Sequence, residues 1–249
     1  MTIRPFNVIS LNLKEVRWVE SSVENLVAQL ALADIGVPIE SWSVLGSGQN
    51  SVAVLINDEW VFRFPRHAAA AESLDEEVAI LQAVHGRLPV LTPDPEIAVD
   101  VPDIEWPVVA YRMIVGQVLD AGQIELLNAI ELNRLGRDLG RFMNTLHGTP
   151  RSQISAKNLR SRDNQQQWDR LKDDTRQYLK PRVVSAIWNK LNRKLNKSID
   201  KIGMLEIDPV LRHGDFGFGN FLFDRHSHLV GVIDFGSAGF GDPAVDVAG

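Results

Sequence analysis

Several residue types and patterns are missing from this chain, and each absence narrows what the protein can be. It contains no cysteine, which excludes a disulfide framework and a thiolate metal site. No apolar run approaches the roughly 18 residues of a membrane-spanning helix. The N-terminal stretch also lacks the continuous apolar segment of a signal peptide. We therefore expect no membrane partner and a cytoplasmic location.

An excess of positive charge is also missing, because the net charge is −6. This balance argues against a general nucleic-acid partner. The charge is uneven, since residues 160–201 carry 12 Lys and Arg against 5 Asp, which is +7 and leaves −13 for the rest. Such a run is first interpreted as a solvated helical face, and a patch that meets an anion or a partner is the alternative.

The first part of the chain is rich in predicted strands. Residues 11–38 have a helical apolar repeat. SVAVLI and WVFRF, separated by the turn-like NDE, follow a glycine loop and predict a hairpin. An amphipathic helix is predicted over 72–88, an edge strand within the proline-rich 88–106, and a buried strand over 107–115. This order predicts a sheet with one helix before it and one inserted helix.

The character changes after Gly116. IELLNAIELNRLGRDLGRFMNTLH, residues 124–147, predicts one long helix. Residues 163–202 predict one or two more helices, with a break near Pro181. The final block, LRHGDFGFGNFLFDRHSHLVGVIDFGSAGFGDP, predicts a loop, a short strand, a turn and a second strand. The second part of the chain is therefore expected to be mainly helical.

HGDFGFGN, residues 213–220, is the most unusual string in the sequence. The carboxylate of Asp215 can orient a hydroxyl and accept its proton. Asn220 offers a neutral carbonyl oxygen, which suits Mg²⁺ when carboxylates supply the charge. His213 can fix the loop by hydrogen bonding. The alternative interpretation is an Asx-rich turn between two strands.

An acidic residue follows directly after an apolar strand in VGVIDFG. A carboxylate at the end of a buried strand is costly unless it is paired or binds a metal, and Asp234 is in that position. The alternative is an aspartate that caps the next segment. Together with Asn220 it forms a plausible Mg²⁺ pair. The pattern H-x-D-x-x-x-x-N followed by D-F-G is the one that kinases use.

These motifs resemble those of the aminoglycoside phosphotransferase family of kinase-like enzymes. The family pattern reads H-G-D-x-x-x-x-N, then I-D-F/W-x, then G-D-P-x-x-D, and this chain has HGDFGFGN, then GVIDFGSAGFGDPAVDVA. VFRFPR with LDEEVAILQAVHGRLPV resembles the N-terminal lobe of the aminoglycoside and macrolide branches. The resemblance covers most of the chain and is weakest over 150–205.

The resemblance implies a two-lobed, protein-kinase-like α+β fold. Residues 1–115 would form a nucleotide-binding lobe with an antiparallel sheet. Residues 116–249 would form a mainly helical C-terminal lobe with the catalytic and metal-binding loops. Relatives continue with further helices that wall the acceptor pocket, so we expect the C-terminal helices to be truncated here.

The resemblance also implies roles for single residues. Asp215 would be the catalytic base, and Asn220 and Asp234 would hold Mg²⁺. GSGQNS lies where the family has its phosphate-covering loop, and its N–H and O–H groups can face phosphate oxygens. A plain hairpin turn is the alternative. The cofactor-binding residues expected from this loop are Gly46, Ser47, Gly48 and Ser51.

An arginine stands where kinases have a lysine that holds the α- and β-phosphates. Arg63 keeps the charge and can bind phosphate through two nitrogens, although it is bulkier. Arg66 is a second candidate, but strand alternation argues against both facing the cleft. The expected partner of Arg63 is Glu77, with Glu76 as the second candidate. A surface glutamate is the alternative for Glu77.

Two further assignments come from position in the family pattern. Backbone groups of Arg112, Met113 and Ile114 would bind the purine edge, and an ordinary buried strand is the alternative. Asp242 and Asp246 are expected to brace the loop and cap the next helix. The remaining histidines have no spacing typical of metal ligands.

We therefore expect transfer of the γ-phosphoryl of a purine NTP–Mg²⁺, ATP or GTP, to a small-molecule hydroxyl, first of all on an aminoglycoside-type antibiotic. One alternative is a kinase of a macrolide, a sugar, choline or a homoserine-like molecule. Another is a nucleotide-binding pseudoenzyme, favoured by Arg63 and the short C-terminus. A metal hydrolase built on His213, Asp215 and Asp234 lacks additional histidines. A monomer is the default oligomeric state.

Overall fold

The computed structural model of the chain describes residues 13–33, 36–101, 104–155, 159, 161, 165–202 and 207–248. Residues 11, 12, 34 and 35 of the predicted 11–38 helix, the start of the predicted 163–202 helices and part of the basic stretch lie outside these residues. The predicted helix is too long at its C-terminal end, because the observed helix ends at Leu32 and residues 36–38 are not helical. Within the described part, no helix is both long and apolar enough to cross a membrane.

A five-stranded antiparallel sheet forms the first half of the structure, in the order β1-β2-β3-β5-β4. The predicted hairpin is confirmed, because β2 and β3 pair directly from Ser51 opposite Pro65 to Ile56 opposite Trp60. The proline-rich segment supplies the edge strand β4, as expected. The strands are β1 (Trp42–Ser47), β2 (Ser51–Ile56), β3 (Trp60–Pro65), β4 (Pro95–Val99) and β5 (Val108–Arg112).

One helix covers this sheet and forms a first core with it. Helix α1 (Leu13–Leu32) buries Val23, Val27 and Leu30, whose spacing places them on one face. They share a cluster of buried residues with sheet residues such as Phe62. The helical repeat of the sequence is thus explained by burial against the sheet.

The inserted helix α2 (Ala68–Val84) contributes to a second core. Its residues Ile80, Leu81 and Val84 are in one buried cluster with Phe142 and Leu146. The predicted boundary between the two lobes, at residues 115 and 116, stays a prediction. The packing groups α2 with the later part of the chain.

The long helix predicted over 124–147 is wrong, because two helices lie there: α3 (Ala121–Glu125) and α4 (Ala129–His147). Asn128 separates the two helices as the N-cap of α4, since its side chain accepts hydrogen bonds from the N–H groups of Ile130 and Glu131. The Glu131 side chain in turn accepts from the Asn128 N–H. This capping box starts a new helix in the middle of the apolar repeat.

The basic stretch forms the predicted pair of helices, α5 (Gln165–Asp174) and α6 (Ser185–Ile202). A π-helical turn and a 3-10 turn separate them, and Pro181 lies in the 3-10 turn. The basic side chains of α6 are exposed, as a solvated face predicts, and they are Lys190, Arg193, Lys194, Lys197 and Lys201.

Short strands at the end of the chain hold its motif loops. They form two antiparallel pairs, β6 with β9 and β7 with β8. The 213–220 loop therefore leaves β6 and enters β7, and Asp234 follows β8. The elements are β6 (Val210–Arg212), β7 (Phe221–Phe223), β8 (Leu229–Val232), β9 (Gly239–Gly241) and helix α7 (Ala244–Ala248).

Candidate active site

A cavity of about 520 Å³ lies between the sheet and the C-terminal loops. Its volume is within the range of about 300–1,000 Å³ that is typical of small-molecule sites. The cavity brings together most of the site residues that the sequence predicts. Those that line it are Gly46, Ser47, Gly48, Ser51, Arg63, Glu77, Met113, Ile114, Asn220 and Asp234.

The 46–51 loop forms one wall as the turn between β1 and β2. It is closed by a hydrogen bond from the Gly48 N–H to the Ser51 carbonyl oxygen, 3.0 Å long. Arg66 lies outside the cavity lining and donates from Nη2 to Ser47 Oγ over 2.6 Å. The second phosphate candidate of the sequence therefore tethers the loop.

An ion pair joins β3 to α2 at the back of the cavity. Arg63 Nη1 lies 3.3 Å from Glu77 Oε1, and the two side chains are 15% and 3% exposed. The expected partner is thus Glu77 and not Glu76. The Arg63 Nε is buried without a hydrogen-bond partner among the described residues. An unpaired buried donor next to an open cavity suits an anionic ligand.

The charges of this group influence one another strongly. Burial raises the pKa of the Glu77 carboxyl, while Arg63 lowers it and the negative charge of Asp234 raises it again. Burial alone would lower the pKa of Arg63, but Glu77, Tyr111 and Asp234 together raise it above its ordinary value. Arg63 therefore keeps its positive charge inside the cavity at any ordinary pH.

Asp234 has an uncommon backbone conformation, with φ 63° and ψ 68°. A non-glycine residue in this left-handed region is unfavourable by about 1–2 kcal/mol. Gly236 leaves room for two acidic groups, because a Cβ there would lie 3.3 Å from Asp234 Oδ1 and 3.6 Å from Glu77 Oε2. Such a conformation persists only when the surrounding structure fixes it, so the packing around Asp234 holds its carboxylate at the cavity wall.

Asp215 and Asn220, near the two ends of the 213–220 loop, are joined by hydrogen bonds. The Asn220 amide nitrogen donates to the Asp215 carbonyl oxygen over 2.8 Å and to its Oδ2 over 3.1 Å. Asp215 is exposed and lies beyond the cavity lining, whereas Asn220 is part of it. The carboxylate thus lies at the cavity rim, one hydrogen bond from its wall.

His213 organises this loop from inside the protein. It is fully buried, and its ring nitrogen Nε2 lies 3.0 Å from the Ile233 carbonyl oxygen, so Nε2 carries the proton. Nδ1 then accepts from the Asp215 N–H over 3.3 Å. Burial lowers the pKa of the His213 imidazole, which agrees with a neutral ring. The histidine links the residue before Asp234 to Asp215.

Asp246 holds the same loop through its backbone. Its Oδ2 accepts from the His213 N–H over 2.9 Å, and its Oδ1 accepts from the Gly214 N–H over 2.7 Å. Asp242 accepts from the Ala244 N–H at the start of α7. The expected bracing and capping functions of the two aspartates are present in the structure.

The 112–114 segment is only partly suited to a purine edge. The Met113 N–H already donates to the Glu59 carbonyl oxygen over 2.8 Å. The Ile114 N–H has no hydrogen-bond partner in the described part of the chain. The Arg112 side chain lies over the Trp60 ring and pairs with Glu59, so it points away from the cavity.

Two residues of this region were missed by sequence reasoning. Tyr111 lines the cavity and lies against Arg63, and burial raises the pKa of its hydroxyl. Strand alternation could have found it, because Val61 opposite Tyr111 shares a face with Arg63. The other is His147, which bonds Asp246. No local pattern indicates that contact, because 99 residues separate the two in the chain.

The oxygen donors of Asn220 and Asp234 are of the kind that hard cations such as Mg²⁺ bind. The Asn220 amide nitrogen is engaged with Asp215, which leaves its oxygen as the free end of the amide. Asp234 adds one carboxylate. No group of three or more His, Cys, Asp or Glu residues suited to a metal occurs in the described residues. Mg²⁺ commonly uses one or two protein ligands and takes the rest from phosphates and water.

Several solved structures of known proteins resemble this chain in fold. The GDP and kanamycin complex of the aminoglycoside phosphotransferase APH(2")-IIIa matches with a TM-score of 0.79 and 26% identity, over 89% of this chain and 75% of that chain. The streptomycin–ATP–APH(2")-IIa ternary complex matches with a TM-score of 0.66 and 21% identity, over 96% and 75%. A macrolide 2'-phosphotransferase type I matches with a TM-score of 0.64 and 23% identity, over 92% and 75%.

These matches define the class of the protein as a kinase-like fold with an antiparallel N-terminal sheet and a helical second part. The model of the APH phosphotransferase enzyme family matches residues 41–249, which is most of the chain. The chain therefore belongs to this phosphotransferase family, and it is a small-molecule O-phosphotransferase by class. The predicted fold and family are confirmed.

Proposed function

We propose that the protein transfers the γ-phosphoryl group of a purine nucleoside triphosphate to a hydroxyl of a small molecule, and that Asp215 orients this hydroxyl and accepts its proton. The observation that supports this most directly is the position of the Asp215 carboxylate. It is exposed at the rim of the cavity and hydrogen-bonded to Asn220 in the cavity wall. An acceptor hydroxyl at Asp215 would thus face a nucleotide inside the cavity.

Different cavity residues would bind different parts of the nucleotide. Arg63 lies behind the 46–51 loop with an unpaired Nε, and we assign it to the phosphates. Ser47 and the backbone N–H groups of the loop would cover them from the other side. The free Ile114 N–H is the donor best placed for the purine edge. Because Met113 is already bonded, Ile114 carries this assignment.

Asn220 and Asp234 are the residues that would hold Mg²⁺. When bound, the ion neutralises phosphate charge and helps to align the transferring group. The chain itself orients these two side chains. Asn220 is fixed by Asp215, and Asp234 by its left-handed backbone. Such preorganised charge and positioning are the main contributions a protein makes to phosphoryl transfer.

For the acceptor we propose an aminoglycoside. The support is the likeness to APH(2")-IIIa in complex with kanamycin, at 26% identity. Complexes with GDP and with ATP both occur among the similar structures, so either purine nucleotide can serve as the donor to be tested. Antibiotic modification would be the biological consequence.

The test is Mg²⁺-dependent turnover with ATP and GTP against kanamycin, streptomycin, a macrolide and choline. Asp215→Asn should lower turnover by about 10²–10⁴-fold, the range for loss of a general base, with nucleotide affinity kept. Asp208→Asn is the matched control, because Asp208 is exposed and does not line the cavity. Equal turnover in the two variants would refute the assignment of Asp215. Turnover stimulated by choline and by no other acceptor would refute the proposal that the acceptor is an aminoglycoside.

Asp234→Asn tests the metal assignment separately. It removes the only carboxylate that we assign to the ion, so binding of Mg-nucleotide should weaken while binding of the metal-free nucleotide changes little. Calorimetry with and without Mg²⁺ measures both. An unchanged affinity for Mg-nucleotide would contradict the assignment.

A further inference from the structure

A polar contact joins helix α4 to the loop that carries Asp215. His147 is the last residue of α4, and its Nε2 lies 2.9 Å from Oδ2 of Asp246. The Asp246 carboxylate is fully buried, and the His147 side chain is 17% exposed. The same carboxylate accepts from the N–H groups of His213 and Gly214. One buried carboxylate therefore connects a long helix to the backbone of the loop.

We propose that His147 is a positioning residue for the transfer reaction: by holding the Asp246 carboxylate in one orientation, it sets the backbone of residues 213–214 and thereby the place of Asp215. This inference rests on the function proposed for Asp215. His147 does not line the cavity, so it acts only through Asp246. The scattered histidines of the sequence thus include one with a role in the geometry of the site.

What this contact contributes follows from where His147 is anchored. Helix α4 has 19 residues, and Phe142 and Leu146 fix its last turns in the second core. His147 approaches Asp246 from this rigid helix. A third donor beside the two loop N–H groups restricts rotation of the carboxylate.

Charge alone does not explain the contact. Arg212 is buried and lies against Gly214, so a positive charge is already close to the loop. A donor from a fixed direction is what His147 adds. Oδ2 of Asp246 accepts from both His147 and the His213 N–H. Without His147, this buried oxygen loses one of its two donors, so the carboxylate is held less firmly and its bonds to the loop change.

The backbone of the loop can transmit such a turn to Asp215. Gly214 has φ +84°, and it lies so close to the Ser237 carbonyl oxygen that a Cβ would not fit. The backbone is therefore held between Ser237 on one side and Asp246 on the other. The next N–H, of Asp215, bonds the His213 ring. A shift of the 213–214 peptide consequently displaces Asp215 relative to the cavity.

The experiment compares His147→Leu with His147→Gln, whose amide N–H can replace Nε2–H as a donor. For His147→Leu we expect kcat to fall by about tenfold to 100-fold, the cost of a displacement of about 1 Å. Its KM for the nucleotide should stay within about twofold, since the phosphate-binding residues are untouched. His147→Gln should keep most of kcat. Equal kcat in both variants, or a loss confined to KM, would overturn the proposal.

Hydrogen exchange of the His213 and Gly214 amides gives a readout that does not depend on turnover. In His147→Leu both amides should exchange about tenfold faster, the ratio for one weakened hydrogen bond. Amides of β2 serve as the internal control, and His147→Gln should remain protected. If the parent protein phosphorylates no acceptor, the proposed function fails while exchange still decides the role of His147. Unchanged exchange in His147→Leu would refute it.

Discussion

Glu77→Gln tests how strongly the buried ion pair couples the sheet to helix α2. The substitution keeps the size of the side chain and one oxygen that faces Arg63, and it removes the negative charge. Because the two side chains are 3% and 15% exposed, solvent screens the pair little. Arg63 would be left in the protein interior without its partner charge.

The magnitude follows from the geometry. Removing one partner of a buried pair costs about 3–5 kcal/mol. The low end, about 3 kcal/mol, applies here because the guanidinium borders the cavity and can reach water, and because Gln retains an acceptor. For a chain of this size, that corresponds to a decrease of about 6–12 °C in Tm.

Calorimetric unfolding of three variants separates the possible causes. Asp75→Asn removes a charge from an exposed position of α2 and should leave Tm nearly unchanged. The double variant Arg63→Met/Glu77→Gln removes the uncompensated charge, so it should regain much of the lost stability. It should not regain nucleotide affinity, because Arg63 is assigned to the phosphates. A Tm of Glu77→Gln equal to that of Asp75→Asn would refute the reasoning.

Three further outcomes are expected. Because burial lowers the pKa of His213 below 6.5, the unfolded state takes up the proton first as pH falls. The free energy of unfolding should therefore decrease below about pH 6.5 by at most about 1.4 kcal/mol per pH unit. Urea titrations between about pH 5 and 7 should show this slope reduced in His213→Gln, and parallel slopes would contradict it. Gly214→Ala should lower both Tm and turnover strongly because its Cβ has no room, whereas Gly217→Ala, with open space at its Cβ, should resemble the parent in the same assays. Similar results for the two glycine variants would argue against a clamped loop. Ser47→Ala frees Arg66 from the 46–51 loop, and since this contact is exposed we expect less than about 1 kcal/mol in stability but a higher KM for the nucleotide in steady-state assays. An unchanged KM would show that the tether does not shape the loop.

The fold was predictable where local pattern decides it. The hairpin of β2 and β3 follows from two β-rich runs around a short turn. The break between α3 and α4 was missed, although its signal is present: Asn128 and Glu131 form a capping box three residues apart. The apolar repeat continues through this point, and periodicity alone cannot distinguish one helix from two.

The site was predictable where a motif or a helix face specifies a residue. Glu77 was found because it lies with the inward residues of α2, and the contact with Arg63 agrees with that prediction. Whether the Met113 N–H is available to a ligand could not be predicted. This group donates to the carbonyl oxygen of Glu59, which lies in the turn between β2 and β3. His147 was missed for the same reason, since its partner comes from a distant part of the chain. Contacts of this kind depend on tertiary packing, which a single sequence does not reveal.

Helix α2 has a consequence for how the protein can be divided. Its residues Ile80, Leu81 and Val84 complete the second core, although they precede the predicted boundary at 115/116. A fragment ending at residue 115 would expose this apolar strip to water, and the complementary fragment would contain a groove without its filling helix. Burial of these two apolar surfaces would favour reassociation of the two fragments in solution. Split versions of the enzyme cut at this junction therefore offer a route to activity that depends on bringing the halves together.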